Sequence, residues 1–335
     1  MARDGGRPVL LWARDPAQAE RLARVRENAR YLLGVRIPDG VTVTADLERA
    51  ADAAALVVVA PADGVTALRD RLATLLRPGQ LVLSATKGLA PGSGRRMSEL
   101  WAEALPAERI AVLSGPNISR EIAAGLPAPT VIASLAAATA KRFQALVGTP
   151  MFRVYTNDDV VGVELCGALK NVIAIGAGAI DGIGYGGNAK AGFMTRGLAE
   201  IARFAFAQGA NPLTAAGLAG LGDLITTCTS ARSRNRTVGE LLAAGLSLDA
   251  VRQRLGGQVA EGIGSTAAVV GAARAQGIAM PIAEATHRVL FGGLAVRDAM
   301  RALMERETGE ELAGPLGEAS RMIAGLNAAA AKRPE

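Results

Sequence analysis

Residues that bind metals or form disulfides are scarce in this chain. Its 335 residues include two cysteines, Cys166 and Cys228, and a single histidine, His287. Two cysteines cannot form a disulfide framework or a structural zinc site, and one histidine argues against a histidine-based metal site. We therefore expect no bound metal and a reducing compartment, the cytoplasm.

Aromatic residues and clustered positive charge are also scarce. Phe, Trp and Tyr make up 3% of the chain, and its 37 basic residues, which face 31 acidic ones, form no run. A nucleic-acid platform needs a basic stripe or stacking rings, so we expect no nucleic-acid partner. The net charge of +6 is compatible with a small anionic ligand.

Long apolar runs are missing as well. A membrane span needs about 18 consecutive apolar residues, and Glu164 and Lys170 interrupt the longest candidate. The apolar stretch Val9–Ala13 is too short for a signal peptide. The sequence therefore predicts no membrane span.

The hydrophobic pattern divides the chain in two. Residues 8–155 alternate short apolar runs with helical stretches, and the run at 55–60 has the character of a buried parallel strand. From residue 158 onward, long helical patterns follow one another. We predict an α/β chain with a Rossmann-like, doubly wound parallel sheet in residues 1–155 and an all-helical domain in residues 156–318. Residues 319–335 are predicted to be a flexible tail.

The glycine-rich fingerprint of a dinucleotide-binding domain is absent from its usual place. The G-x-G-x-x-G match at 182–187 follows a long helix, whereas the motif must follow a strand and open a helix. We interpret this match as a helix connection. The chain opens with what looks like the end of a first helix, so the predicted sheet lacks its first strand and glycine turn. We expect a misplaced start, with the natural chain beginning one strand, turn and helix earlier.

Lysine is unusually rare compared with arginine. Five of the 37 basic residues are lysines, and one of them, Lys170, stands beside Asn171 in an apolar helical segment. Taken alone, such a lysine is more often ion-paired or snorkelling than catalytic. Desolvation lowers the pKa of a lysine, however, so it can exchange a proton near neutral pH, which arginine cannot. The rarity of lysine and the adjacent Asn171 favour the functional interpretation.

Three further patterns place polar groups where ligands bind. Asp223 and Thr227 lie one helical turn apart and share a face, although an isolated Asp there is as often a cap. The segment 233–236 (SRNR) precedes an apolar helix and predicts a phosphate site, with a plain capped terminus as the alternative. Segments 86–88 and 114–117 follow strands at their carboxyl ends, where open α/β sheets bind ligands.

In their order and spacing, these motifs resemble the bacterial-type NAD(P)-dependent sn-glycerol-3-phosphate dehydrogenases over about residues 6–306. The matching segments are LWARDP (11–16), NARYL (28–32), ATKGL (85–89), LSGP (113–116), FRVYT (152–156), GVELCGALKNVIAI (162–175), TRGLAE (195–200), GLAGLGDL (217–224), TCTS (227–230), SRNR (233–236) and MPI (280–282).

The resemblance implies interconversion of dihydroxyacetone phosphate and sn-glycerol 3-phosphate with NADP(H) or NAD(H), for phospholipid synthesis. It makes Lys170 the proton donor and acceptor, with Asn171, Asp223 and Thr227 around it. The implied substrate-binding residues are Lys87, Gly115, Asn117, Lys170, Asp223, Ser233, Arg234 and Asn235. The implied cofactor-binding residues are Arg14, Tyr31, Lys87, Ser119, Arg234, Val259 and Glu261. The family also suggests a homodimer.

Several points stay open at this stage. Arg14 can pair with a 2′-phosphate, which favours NADP(H), while the neighbouring Asp15 leaves NAD(H) open. Asn117 stands where the family usually has Ser or Thr, and residues 119–121 (SRE) replace the usual Ala-Lys-Glu. One alternative is a non-catalytic paralogue that binds the phosphate substrate but not the nucleotide. Another is a dehydrogenase of a different small acid or sugar phosphate.

Overall fold

A computed structural model describes residues 6–311 and residue 317 of the chain. The chain forms two compact units, which divide between Glu164 and Leu165. The predicted tail at 319–335 and the opening residues 1–5 lie outside the described residues.

The first unit contains seven strands within the described residues. They are β1 (Val9–Trp12), β2 (Val41–Thr44), β3 (Ala55–Val58), β4 (Leu81–Ser84), β5 (Ile110–Ser114), β6 (Ala128–Ala133) and β7 (Phe152–Asn157). β1 pairs in parallel with β2, and a separate sheet has the order β3-β4-β5-β6-β7. The second sheet is parallel except between β5 and β6. The predicted α/β architecture is confirmed, with one antiparallel pair that the sequence did not predict.

The two sheets are separated at β1 and β3. Within residues 6–311, each of these strands pairs on one side only. The prediction of a buried strand at 55–60 is wrong for two of its valines, because Val57 is 40% and Val59 is 72% exposed. A strand of a parallel sheet is buried when neighbours and helices cover it on all sides, and the described residues give β3 one neighbour, β4.

Six helices accompany these strands in the described part of the unit. They are α1 (Pro16–Val25), α2 (Leu47–Ala51), α3 (Ala62–Ala73), α4 (Met97–Trp101), α5 (Ser119–Ala123) and α6 (Ala137–Val147). The helical pattern of residues 16–33 in the sequence predicts a longer helix than α1, which ends at Val25. Arg26 adopts a left-handed conformation, with φ at 58°, and its guanidinium donates to the Val41 carbonyl over 2.9 Å. This conformation ends the helix.

The described part of the second unit is built from helices. They are α7 (Val160–Gly182), α8 (Gly187–Ala207), α9 (Asp223–Thr229), α10 (Arg234–Ala243), α11 (Leu248–Arg254), α12 (Glu261–Ala275), α13 (Pro281–Phe291) and α14 (Val296–Met304). The helical pattern of residues 211–228 in the sequence predicts a single helix, but these residues form a 3-10 turn (Pro212–Ala216), a π-helical turn (Leu218–Gly222) and α9. The G-x-G-x-x-G match joins α7 to α8, as predicted.

Among the described helices, α7 has the length and composition needed to cross a membrane. Its most apolar window is nevertheless 83% buried inside the protein. The helix also carries Lys170 and Asn171 as buried polar residues. These features are those of the central helix of a protein core.

The division between the units falls within the first turns of α7, nine residues after the boundary predicted at 155/156. Glu164 accepts hydrogen bonds from the Ser98 backbone N–H over 2.8 Å and from Arg96 Nη1 over 3.1 Å. These bonds tie the start of α7 to α4, so the first turns of the helix belong to the first unit.

Candidate active site

Lys170 lies in the middle of α7, and its ammonium group meets two side chains of α9. Nζ is 2.6 Å from Asp223 Oδ1 and 2.6 Å from Thr227 Oγ1. The Thr227 hydroxyl lies 3.2 Å from the same Asp223 oxygen. The side chains of Lys170 and Asp223 are 7% and 2% exposed. The shared face predicted for Asp223 and Thr227 is thus directed at Lys170.

Lys170 and Asp223 form a buried ion pair. A carboxylate in hydrogen-bond contact favours the ammonium form and offsets the cost of removing the lysine from water. The ion pair that the sequence left open for Lys170 is present, and the catalytic role of this residue remains a prediction. A protonated amine in a dry setting is suited to donate a proton to a carbonyl oxygen.

The π-helical turn Leu218–Gly222 leads directly into α9 and sets the position of Asp223. A Cβ at Gly220 would lie 2.0 Å from the Ala215 carbonyl oxygen. Only glycine therefore allows the turn to pack against the preceding 3-10 turn. Single π-helical turns occur frequently at functional sites.

Cys228 is an ionisable group beside this cluster. It is buried next to Thr227. Burial raises the pKa of the Cys228 thiol to about 12, against the opposing effect of Lys170 and Lys190. The thiol is therefore neutral at physiological pH.

Side-chain amides hold α7, α10 and α12 together next to Lys170. Asn235 Nδ2 donates to Asn171 Oδ1 over 2.9 Å, and the Gly262 backbone N–H donates to Asn235 Oδ1 over 3.0 Å. A Cβ at Gly262 would lie 2.6 Å from the Asn171 carbonyl oxygen, so glycine is required for this approach. Asn171 and Asn235 thus fix the start of α10 relative to the lysine-bearing helix.

The start of α10 has the character of an anion site. Ser233 caps the helix, and its Oγ accepts from the Arg236 backbone N–H over 3.3 Å. Arg234 is exposed, and its guanidinium makes no hydrogen bond or ion pair within the described residues. Free N–H groups at a helix start and an uncommitted guanidinium together attract an anion.

Three of the predicted cofactor-binding residues lie in this second unit. Arg234 begins α10 and Glu261 begins α12. Glu261 precedes Gly262, whose N–H reaches Asn235, so Glu261 stands close to the start of α10. Val259 is two residues earlier and is partly exposed.

In the first unit, the predicted residues Lys87, Gly115 and Asn117 gather beyond β4 and β5. Lys87 Nζ donates to the Gly115 carbonyl over 2.6 Å. Asn117 Nδ2 donates to Thr130 Oγ1 over 3.0 Å. Gly115 has φ at +134°, and a Cβ there would lie 3.1 Å from Thr130 Cα. The three residues therefore line the carboxyl ends of adjacent strands.

The first unit fits a dinucleotide at two places. Ser84 Oγ, Ser114 Oγ and Asn117 Oδ1 are buried at the strand ends without a hydrogen-bond partner among the described residues. Polar groups of a bound nucleotide can satisfy them. Arg14 is exposed two residues after β1, where the adenosine ribose binds in such folds. Residues 6–311 contain no G-x-G-x-x-G turn between a strand and a helix, so they do not supply that set of pyrophosphate donors.

Two other predicted cofactor-binding residues are less well defined. Tyr31 is exposed, with the Arg30 guanidinium 5.1 Å above its ring. Ser119 is exposed at the start of α5.

Three acidic residues with defined roles were missed by the sequence reasoning. Glu164, Asp181 and Glu200 each accept hydrogen bonds from a neighbouring helix. Burial raises the pKa of Glu164 despite its bonds to Arg96 and Ser98. The available signal was an isolated acid in an apolar helical segment, which is the same signal that singled out Lys170.

A sheet with ligand-type residues at its strand ends, followed by a helical unit with a buried lysine, defines a dinucleotide-dependent dehydrogenase. The family model "NAD-dependent glycerol-3-phosphate dehydrogenase N-terminus" matches residues 1–140, and the corresponding C-terminus model matches residues 159–301. The chain belongs to the NAD-dependent glycerol-3-phosphate dehydrogenase family and is an oxidoreductase.

Curated relatives agree with this assignment. The glycerol-3-phosphate dehydrogenase [NAD(P)+] of Parafrankia sp. (strain EAN1pec) is 50% identical over 313 residues, which cover 92% of this chain and 93% of the relative. The corresponding protein of Nocardia farcinica is 48% identical over 311 residues, which cover 90% of this chain and 92% of the relative.

Solved structures share the fold. The glycerol-3-phosphate dehydrogenase of Coxiella burnetii has a TM-score of 0.86 and 36% identity, covering 90% of this chain and 92% of that one. The glycerol-3-phosphate dehydrogenase of Saccharomyces cerevisiae has a TM-score of 0.76 and 28% identity, covering 89% of this chain and 90% of that one.

Proposed function

We propose that the chain reduces dihydroxyacetone phosphate to sn-glycerol 3-phosphate with NADPH or NADH, and catalyses the reverse reaction, to supply phospholipid synthesis. The observation that carries the proposal is the buried Lys170–Asp223–Thr227 cluster, with an exposed Arg234 in the same unit. Relatives named glycerol-3-phosphate dehydrogenase [NAD(P)+] support it over most of the chain.

The proposed chemistry assigns the proton to Lys170. A nicotinamide cofactor, when bound, would supply the hydride that the substrate carbonyl carbon accepts. The Lys170 ammonium polarises the carbonyl and donates a proton to its oxygen; in the oxidative direction the amine accepts that proton. Asp223 holds the ammonium in place, and the Thr227 hydroxyl fixes the lysine from a second direction.

The proposed phosphate subsite is the start of α10. Arg234 binds the phosphate through charge-assisted hydrogen bonds, and Ser233 and the first N–H groups of the helix add donors. Asn235 keeps this terminus beside Asn171 through its 2.9 Å bond. No observation supports the non-catalytic alternative, and the residues proposed for the reaction in the second unit, Lys170, Asp223 and Thr227, are in contact.

We also propose that the enzyme prefers NADP(H) and works as a cytoplasmic homodimer. Asp15 Oδ1 accepts from the Ala17 backbone N–H over 3.0 Å and so caps α1. Arg14 is exposed beside it and can pair with a 2′-phosphate on the ribose. Family membership supports the dimer, and sedimentation of the purified chain tests it.

The phosphate assignment is tested by Arg234→Ala. A charge-assisted hydrogen bond contributes about 1.5–3 kcal/mol, so we expect the KM for dihydroxyacetone phosphate to rise by roughly tenfold or more. Steady-state kinetics at saturating NADPH measure this KM. Arg232→Ala, which removes an exposed arginine two residues away, is the matched control and should leave the KM unchanged. An unchanged KM in Arg234→Ala would remove Arg234 from the phosphate subsite.

A further inference from the structure

Asp181 joins three helices of the second unit through one carboxylate. It lies in the last turn of α7, and its Oδ2 is 2.7 Å from Lys190 Nζ in the first turn of α8. The same oxygen is 2.7 Å from Arg236 Nε in the first turn of α10. All three side chains are about one-fifth exposed, so water screens these pairs only partly.

The carboxylate remains ionised through these contacts. Burial opposes ionisation, but the hydrogen bonds from Lys190 and Arg236 outweigh it and lower the pKa of Asp181. Arg236 also pairs with Glu240 on its own helix over 2.8 Å. The guanidinium of Arg236 is therefore held on two sides.

The helices that Asp181 joins also touch directly through their backbones. A Cβ at Gly178 of α7 would lie 1.9 Å from the Arg236 carbonyl oxygen. A Cβ at Gly239 of α10 would lie 1.9 Å from the Ile175 carbonyl oxygen. With no side chains between them, any shift at the end of α7 is passed to the first turns of α10.

The two arginines of the SRNR segment therefore differ in their ion pairs. Arg236 is committed to Asp181 and Glu240, whereas Arg234 has no ion pair within the described residues. Both lie in the first turn of α10, so the contact that fixes Arg236 also fixes the turn that presents Arg234. The resemblance implies a binding role for Arg234 only, and it assigns no role to Arg236 or Asp181.

We infer that Asp181 is a positioning residue for the phosphate subsite: by holding Arg236, it fixes the first turn of α10 so that Arg234 meets the phosphate of the substrate. The inference rests on the proposed function for the identity of that substrate, a phosphate monoester. Asp181 does not touch the substrate; it acts through Arg236. A displaced turn weakens phosphate binding and leaves the Lys170–Asp223–Thr227 cluster intact.

The test compares Asp181→Asn with the wild-type chain on two substrates, dihydroxyacetone phosphate and dihydroxyacetone. We expect the KM for the phosphorylated substrate to rise roughly ten- to hundredfold, since small misplacements have effects of that size, while its kcat changes little. The kcat/KM for dihydroxyacetone should stay at the wild-type value. Arg234→Ala should show the same split, and Asp249→Asn, which breaks an exposed ion pair on α11, should show no effect.

A second measurement needs no turnover. Glycerol 3-phosphate should raise the melting temperature of the wild-type chain and of Asp249→Asn, because a ligand of the folded state stabilises it. The increase should shrink in Asp181→Asn and Arg234→Ala. Asp181→Glu, which keeps the charge, should recover part of this increase in melting temperature. If Asp181→Asn does not fold, Asp181→Glu is measured in its place.

The outcomes separate the inference from the proposed function. Equal losses of kcat/KM for both substrates in Asp181→Asn, or an unchanged KM and melting shift, would overturn the positioning role. If the wild-type chain binds glycerol 3-phosphate but oxidises no NADPH, the proposed function fails, and the melting shifts alone still decide the role of Asp181.

Discussion

At the residue scale, partners decide what each charged group does. Lys170 shares its hydrogens with Asp223 and Thr227, whereas Arg234 makes no ion pair within the described residues. The sequence predicted Lys170 as an unusual lysine, because its rarity and apolar setting are visible in the composition. It could not show that Arg236 is committed and Arg234 is not, since both follow the same cap and only their partners differ.

The pair Arg14 and Asp15 provides the prediction at this scale. Asp15 is engaged as the cap of α1, so Arg14 should govern cofactor choice by pairing with a 2′-phosphate. We expect Arg14→Ala to raise the KM for NADPH by roughly tenfold, the low end for a lost charge-assisted bond. The KM for NADH should change little.

Steady-state kinetics with both cofactors measure the ratio of the KM for NADPH to the KM for NADH in Arg14→Ala and in the wild type. Arg21→Ala, which removes an exposed arginine of α1, serves as the control. An equal rise in both KM values would show that Arg14 contacts the shared part of the cofactor and does not select NADPH.

At the element scale, the helices of the second unit are tied together by buried polar groups. Glu200 of α8 accepts from the Ile282 and Ala283 backbone N–H groups at the start of α13, over 2.6 Å and 3.2 Å. Pro281 occupies the first position of α13 and has no backbone N–H. The N–H groups of Ile282 and Ala283 are therefore the first donors of this helix. Helical periodicity predicted α8 and α13, but it did not indicate that an acid of one helix caps the other, because that contact spans 82 residues.

Glu200 also makes stability depend on pH. Burial raises its pKa from 4.5 to about 7, against the two backbone bonds and the charges of Arg203 and Arg306. The pKa of Glu200 is higher in the folded state than in the unfolded state, so protonation of this carboxyl stabilises the fold. This stabilisation is fully present below pH 4.5 and is lost as the pH rises to about 7. The free energy of unfolding of the wild type, minus that of Glu200→Gln, should therefore fall with pH by up to about 3 kcal/mol.

Urea denaturation at several pH values across this window measures the difference. Glu305→Gln, which alters an exposed glutamate of the same unit, should give a difference that does not vary with pH. A flat difference for Glu200→Gln, or one that grows with pH, would contradict a raised pKa at this residue.

At the scale of the whole molecule, the strand–helix alternation predicted the first unit and the long helical patterns predicted the second. The alternation did not reveal the antiparallel pair of β5 and β6, since strand direction depends on the route of the connection. It also treated 55–60 as a buried strand, although burial depends on what pairs with β3 and Val59 is exposed. Local sequence patterns do not show which distant segments of the chain pair with one another.

The chemistry of the molecule is predicted to converge on one nitrogen, Lys170 Nζ. NADPH oxidation by the wild-type chain on addition of dihydroxyacetone phosphate, followed by absorbance beside Lys170→Met, tests this most directly. We predict turnover with dihydroxyacetone phosphate and none with pyruvate, an unphosphorylated 2-oxo acid. Lys170→Met should remain folded, with a lower melting temperature because the buried Asp223 loses its ion-pair partner, and should lose at least about a hundredfold in kcat. Lys141→Met, at an exposed lysine, should match the wild type. Turnover with pyruvate instead of dihydroxyacetone phosphate, or undiminished turnover in Lys170→Met, would contradict the account.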